Sequence, residues 1–256
     1  MRWTLLVDPV GRPGWHNMAV DQALLGLAAG KGRAFLRLYR WEPFCLSFGR
    51  HEPALRRYDR AAIDRLGLDA VRRPTGGRAV WHADELTYAV AAPADTFGSL
   101  PKAYERIHAA LAAALQSIGF PAVLASPPAR ASALHAGACF ASPVGGEVML
   151  AGRKVVGSAQ LREQGAMLQH GSLLLGGSQE VVSDVTEGVA PPDGSIALAE
   201  VRGGPVGFDE VAAAVSDAAR AWGGEWGVES VDNSTIAALA MMHADRFRSD
   251  EWTWRR

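Results

Sequence analysis

Three stretches of this chain combine residue types that can do chemistry. The first is Arg72-Arg73-Pro74-Thr75-Gly76-Gly77-Arg78-Ala79-Val80-Trp81-His82. Adjacent glycines let a backbone approach a ligand closely and turn its N–H groups toward an oxygen. The flanking arginines can hold a phosphate, a carboxylate or a thioester-linked carrier. A basic hairpin turn would use the same residues, and His82 at a strand end reads as a structural donor as well as a base.

The second stretch is Gly152-Arg153-Lys154-Val155-Val156-Gly157-Ser158-Ala159-Gln160, followed by Gln169-His170-Gly171-Ser172. Strand alternation puts Lys154, Val156 and Ser158 on one side, opposite Val155 and Gly157. A lysine among apolar neighbours either snorkels to the surface or is desolvated for a task, and pattern alone favours the surface. The third is Gly137-Ala138-Cys139-Phe140, where a thiol in a loop of small residues is reachable and a nearby cation would lower its pKa. Lys154 or His135 could supply that charge or take the proton, although His135 also reads as an ordinary loop residue. Cys45, inside Phe44-Cys45-Leu46, reads as a small buried hydrophobe.

Other chemistries lack their residues. Gly26-Leu27-Ala28-Ala29-Gly30-Lys31-Gly32 imitates a phosphate-binding loop but is one residue short and has no Ser or Thr for magnesium. No G-x-S-x-G elbow occurs, and His51-Glu52 has no second histidine at helical spacing, which disfavours serine hydrolases and zincins. With two cysteines and no C-x-x-C pair, neither a disulfide framework nor a cysteine zinc site is expected.

These groups sit in a chain of 256 residues, 48% hydrophobic and 21% charged, long enough for a large core. The formal net charge of −1 argues against a nucleic-acid binder. The one early apolar run, Leu5-Leu6-Val7, is too short for a signal-peptide core or a membrane span, so a cytoplasmic protein with no membrane partner is expected. Charge is uneven: residues 31–78 hold 12 Lys and Arg against 5 Asp and Glu, +7, leaving −8 on the rest. That segment reads either as a face for an acidic partner or as solvated helix surface.

The elements that must position these groups follow from periodicity. Strands are expected over residues 3–7, 35–39, 44–48 and 79–91, with a two- or three-stranded meander over 147–175 broken at Gly152 and Gly165. Helices are expected after an Asn17 cap, over 54–66, from Pro101 to Gly119, over 208–222 and over 233–247. Residues 126–144 and 176–204 read as loops. Strands and helices interleave without strict alternation, which points to a mixed-sheet α+β fold in one domain.

Taken together the residues resemble the biotinyl/lipoyl protein ligase superfamily, and within it the cysteine-dependent octanoyl-[acyl carrier protein]:protein N-octanoyltransferases. The resemblance is carried by Asn17-Met18-Ala19-Val20-Asp21, the 72–82 loop, Glu85-Leu86-Thr87-Tyr88, Cys139-Phe140, residues 154–160, Leu168-Gln169-His170-Gly171-Ser172 and Ser249-Asp250-Glu251-Trp252. It implies a single catalytic domain over 1–256, a mixed β-sheet flanked by helices as in class II synthetases. It implies Cys139 as acyl-accepting nucleophile and Lys154 as the lysine that contacts the acyl carbonyl and favours the thiolate. Arg72, Arg73, Gly76, Gly77 and His82 match the loop lining the acyl and carrier site, and Gly157, Ser158 and His170 match its opposite wall. The implied donor is octanoyl-acyl carrier protein, and the acceptor is a lysine of a lipoyl domain, in glycine cleavage H protein or a dehydrogenase E2 subunit. No ATP, metal or other cofactor is implied. Arg78 stands where adenylate-forming ligases of the superfamily carry a third glycine; an ATP-dependent lipoate or octanoate ligase and a silent acyl- or carrier-binding homologue are the alternatives.

Overall fold

The computed structural model describes residues 1–30, 32–126, 145–188, 193–228 and 233–255. Cys139 and His135 therefore lie outside the described residues. The strands are β1 (Arg2–Arg12), β2 (Arg33–Trp41), β3 (Cys45–Phe48), β4 (Asp69–Arg72), β5 (Val80–His82), β6 (Glu85–Pro93), β7 (Val123–Leu124), β8 (Val148–Leu150), β9 (Arg153–Lys154), β10 (Val156–Glu163), β11 (Ala166–Leu174) and β12 (Glu225–Val228). The helices are α1 (Gly14–Ala28), α2 (Ala54–Arg57), α3 (Arg60–Arg65), α4 (Leu100–Ser117), α5 (Glu180–Asp184), α6 (Leu198–Arg202), α7 (Phe208–Ala219), α8 (Asn233–Met241), α9 (Ala244–Arg248) and α10 (Asp250–Thr253).

Six strands form a mixed sheet in the order β10-β11-β6-β2-β1-β12, parallel where β1 meets β2 and β12 and antiparallel elsewhere. Its strands are apolar on both faces, so both must be covered. Leu36 and Leu38 of β2, with Leu86, Tyr88 and Val90 of β6, face Ile107, Leu111 and Leu115 of α4 and Val211 and Val215 of α7. Phe35 and Tyr39, with Ala89 and Ala91, face Met18, Leu24 and Leu25 of α1 and Ile236 and Phe247 of the C-terminal helices. A smaller sheet, β4-β3-β5, packs Leu46, Phe48 and Trp81 against Tyr58, Ile63 and Trp254. The third sheet, β7-β8-β9, is antiparallel.

Several expected boundaries move, each for a physical reason. Helix α1 begins at Gly14 behind Pro13, so Asn17 is no cap; its amide instead donates to the carbonyls of Arg12 and Arg40. The single helix expected over 54–66 is two helices, because Tyr58 is extended and turns inward to stack on Phe48 while its hydroxyl donates to Glu52. Asp59 then caps α3 through the Ala62 N–H. The strand expected over 79–91 is divided at Ala83-Asp84 between the small and the large sheet, which brings His82 back against Glu85. The 147–175 region is four strands, with Gln164 and Gly165 both at positive φ in the tight turn joining β10 to β11. Strand β12 and helices α5, α6 and α10 have too little periodicity to be read beforehand.

No helix among the described residues is long and apolar enough to cross a membrane.

Candidate active site

A cleft partly open to solvent lies between β11, β10 and the start of the glycine loop. One wall is Gly157, Ser158, Ala159, His170, Gly171 and Ser172; the other is Ser47, Arg73, Val80 and His82, with Met18, Tyr39, Trp41 and Thr87 completing the lining. Five of the residues singled out by sequence thus converge: Arg73, His82, Gly157, Ser158 and His170.

Both cleft histidines are buried and fully engaged. His82 stacks on Trp41 at 3.9 Å, and its Nδ1 is 2.8 Å from Glu85 Oε1 while Nε2 is 2.7 Å from Ser47 Oγ. Arg73 Nη1 donates to Ser47 Oγ at 2.8 Å, so the serine proton points at His82 Nε2 and the imidazole donates to Glu85. His170 Nδ1 is 2.9 Å from Asp21 Oδ2, and Nε2 is 2.6 Å from Thr75 Oγ1. Burial lowers the pKa of His170 despite the raising effect of Asp21, so the neutral ring donates to Asp21 and accepts the Thr75 hydroxyl. Asp21 in turn pairs with the wholly buried Arg37 at 3.0 Å. The glycine loop is thereby held from below by an Arg37–Asp21–His170–Thr75 series.

Arg73 also fixes that loop. Its Nη2 donates to the carbonyls of Gly76 at 3.1 Å and Arg78 at 2.5 Å. Gly77 has φ +92°, and its carbonyl packs so closely on Gly49 that a Cβ on Gly49 would fall 2.0 Å from that oxygen. Gly76 and Gly77 shape the loop and do not themselves line the cleft. Arg72 is not brought to the cleft at all. Every guanidinium nitrogen donates to backbone carbonyls, those of Gly49 and Glu52 at 2.7 Å, Trp252 at 2.8 Å and Arg255 at 3.0 Å among them. Burial, then Arg255, brings its pKa down to about 10. With Arg37, Arg72 and Arg73 all buried, the +7 segment is not one continuous charged face.

Lys154 is buried, which overturns the surface reading. Its Nζ donates to Glu147 Oε1, a pair with both side chains almost without exposure. Beside this pair the described chain is tied together at Ala125 and Gly146. Gly146 N donates to Ala125 O and Ala125 N to Glu147 O, each at 2.7 Å. Among the described residues no three His, Cys, Asp or Glu side chains form a metal-ligand group.

A family model described as the lipoyl protein ligase A/B catalytic domain matches residues 13–220. The chain belongs to this family. An octanoyltransferase LipM of an Exiguobacterium species is 34% identical over 99% of this chain and 98% of its own length. Another, of Moorella thermoacetica, is 43% identical over 68% of this chain and 65% of its own. A crystal structure of lipoate-protein ligase A bound with ATP superposes with a TM-score of 0.80 at 21% identity, covering 99% of both chains, which speaks to the fold.

In this lipoyl protein ligase family chain, Asp21, Ser47, Thr75 and His108 carry no local signal of a site role, because their partners are remote in sequence, and Glu85 has one only once the chain turns His82 back onto it. His108 projects from α4; its Nδ1 donates to Gly146 O at 2.7 Å and its Nε2 accepts Ser158 Oγ–H at 2.8 Å. Tyr88 OH is 2.7 Å from the same Ser158 Oγ. Gly171 admits this cluster: a Cβ there would sit 2.5 Å from Ser158 Oγ and 2.6 Å from Gly157 O. Burial lowers the His108 pKa to about 4, backed by Lys154 and opposed by its bond to Gly146. Above pH 6.5 both folded and unfolded histidine are neutral; below it only the unfolded chain takes the proton. Stability is therefore expected to fall as pH drops from about 6.5 to 4, by up to about 3 kcal/mol from this residue. Urea midpoints measured across that range should flatten in His108→Gln relative to wild type; parallel slopes would exclude the assignment.

Proposed function

We propose that this chain is an acyltransferase of protein lipoylation, moving an octanoyl group from octanoyl-acyl carrier protein to a lysine of a lipoyl domain through a thioester on Cys139. The observation that carries the reading is the 34% identity to an octanoyltransferase over essentially the whole of both chains. The residues add a coherent chemistry. The Cys139 thiolate attacks the donor thioester, the carrier thiolate leaves and takes up a proton, and an octanoyl-enzyme results. The acceptor amine then attacks that thioester, loses a proton, and expels Cys139 to form the amide. Thioester exchange is nearly balanced and amide formation runs downhill, so the sequence of steps closes without ATP.

In this reading the Lys154 ammonium, held by Glu147, favours the thiolate and the developing oxyanion. Arg73 and His82 fix one wall for the acyl thioester, and Gly157, Ser158 and His170 the other. The acceptor is a lipoyl domain of the H-protein or E2 type. The reaction takes place in the cytoplasm, and residues 1–256 act as one catalytic domain. Exposed Arg56 and half-buried Arg57 of α2 remain a docking face for an acidic carrier.

The test is intact-protein mass after mixing the wild-type chain with octanoyl-acyl carrier protein in the absence of ATP. The expected result is one octanoyl adduct, released by hydroxylamine as a thioester should be. A folded chain that stays unloaded, yet uses free octanoate once ATP and magnesium are added, would make it a ligase instead.

A further inference from the structure

Beyond the cleft, three arginines from distant parts of the chain meet on one surface. Arg50 follows β3, and its backbone N–H donates to Thr75 O of the glycine loop at 2.7 Å. Arg246 belongs to α9 and Arg255 follows α10. The Trp252 ring gathers the last two, with their guanidinium carbons 3.8 and 4.3 Å from its centroid. Arg255 also donates to the carbonyl of Arg50. Among the ion pairs of the described residues, the one carboxylate touching this group is Glu163, 3.5 Å from Arg50 Nη1. Burial and then the charge of Arg50 hold both Arg246 and Arg255 below the usual guanidinium range. Like charges assembled around one counter-charge repel, and an arriving anion relieves that repulsion. Planar guanidinium forks match the oxygens of a phosphate.

The position of the cluster says which anion. Glu163 closes β10, five residues beyond the cleft residue Ser158, a distance of roughly 16 Å at the rise of a strand. A carrier thioester hangs at the end of a pantetheine arm of comparable extended length, with a phosphodiester at the other end. We propose that Arg50, Arg246 and Arg255 bind the phosphate of the donor's phosphopantetheine arm while its thioester lies in the cleft. This rests on the acyl-carrier donor argued above and adds the group by which the arm is held.

The experiment is calorimetric titration of the full chain with 4′-phosphopantetheine, with pantetheine and with inorganic phosphate, none of which requires transfer chemistry. Wild type is expected to prefer 4′-phosphopantetheine over pantetheine by at least about tenfold, and R246A/R255A to reduce the preference below about threefold. Glu163→Gln removes the counter-charge and keeps every arginine, so the preference should grow; this variant decides the matter if the double variant does not fold. Weaker binding of inorganic phosphate, lost in R246A/R255A and kept in Glu163→Gln, would support the site. Equal affinities for the two arms in wild type would overturn it, as would a phosphate preference indifferent to all three substitutions. Arginine-dependent binding of an apo-carrier lacking the arm, with none of 4′-phosphopantetheine, would also overturn it in favour of carrier carboxylates. Phosphate-dependent binding by a chain that loads no octanoyl would leave the site standing and remove the transferase reading.

Discussion

Cys139→Ala is expected to stop acyl capture: no octanoyl adduct from octanoyl-acyl carrier protein, and transfer to a lipoyl domain slowed by at least on the order of 10³-fold, as for loss of a covalent nucleophile. The protein supplies its own contrast in Cys45. That thiol is without exposure, packed where a Cβ on Gly14 would fall 2.5 Å from its Sγ, and burial followed by Asp69 pushes its pKa up. It stays protonated and out of reach. Iodoacetamide at neutral pH should therefore modify one cysteine, mapped by peptide mass to Cys139, and octanoyl loading should protect it. An alanine variant that still loads would end the nucleophile assignment, and alkylation at Cys45 would end the contrast drawn with it.

Arg37→Met is expected to cost about 3–5 kcal/mol, a large part of the roughly 5–15 kcal/mol that holds a typical domain. Arg37 is wholly buried; Nη1 reaches Asp21 Oδ1 and the Asn17 carbonyl, and Nη2 reaches Asn17 Oδ1 at 2.8 Å. Methionine fills much of the space but leaves the Asp21 carboxylate buried without its cation. Two consequences are measurable. The denaturation midpoint should fall, and Arg37→Met/Asp21→Leu should recover part of the loss because both charges are then gone. The imidazole of His170 should titrate higher by NMR, since Asp21, no longer neutralised, favours the imidazolium; a doubly protonated ring then cannot accept the Thr75 hydroxyl. A loss under about 1 kcal/mol would show that the buried pair does not secure the loop.

These outcomes separate what the chain spells out from what folding adds. The sequence determined the mixed α+β class, because the short apolar runs in 35–39 and 86–91 and the helical spacing in 100–117 are local patterns that survive in the structure. It also marked segments that the fold brings to the cleft, the 157–160 strand and the His170-Gly171 step, where close backbone approach is a contiguous requirement. The proposed role of Cys139 rests on the sequence alone. What tertiary structure decided is which charges and hydroxyls meet. Arg72 and Arg73 are adjacent and chemically identical, yet strand alternation sends one into carbonyls of the C-terminal turn and the other to the cleft wall. Lys154 looked like surface until Glu147, seven residues earlier, was folded against it. Pattern reports burial and period along a chain, whereas hydrogen bonds and ion pairs depend on contacts between residues tens to hundreds apart, such as His170 with Asp21, and only closure of the sheet brings those together.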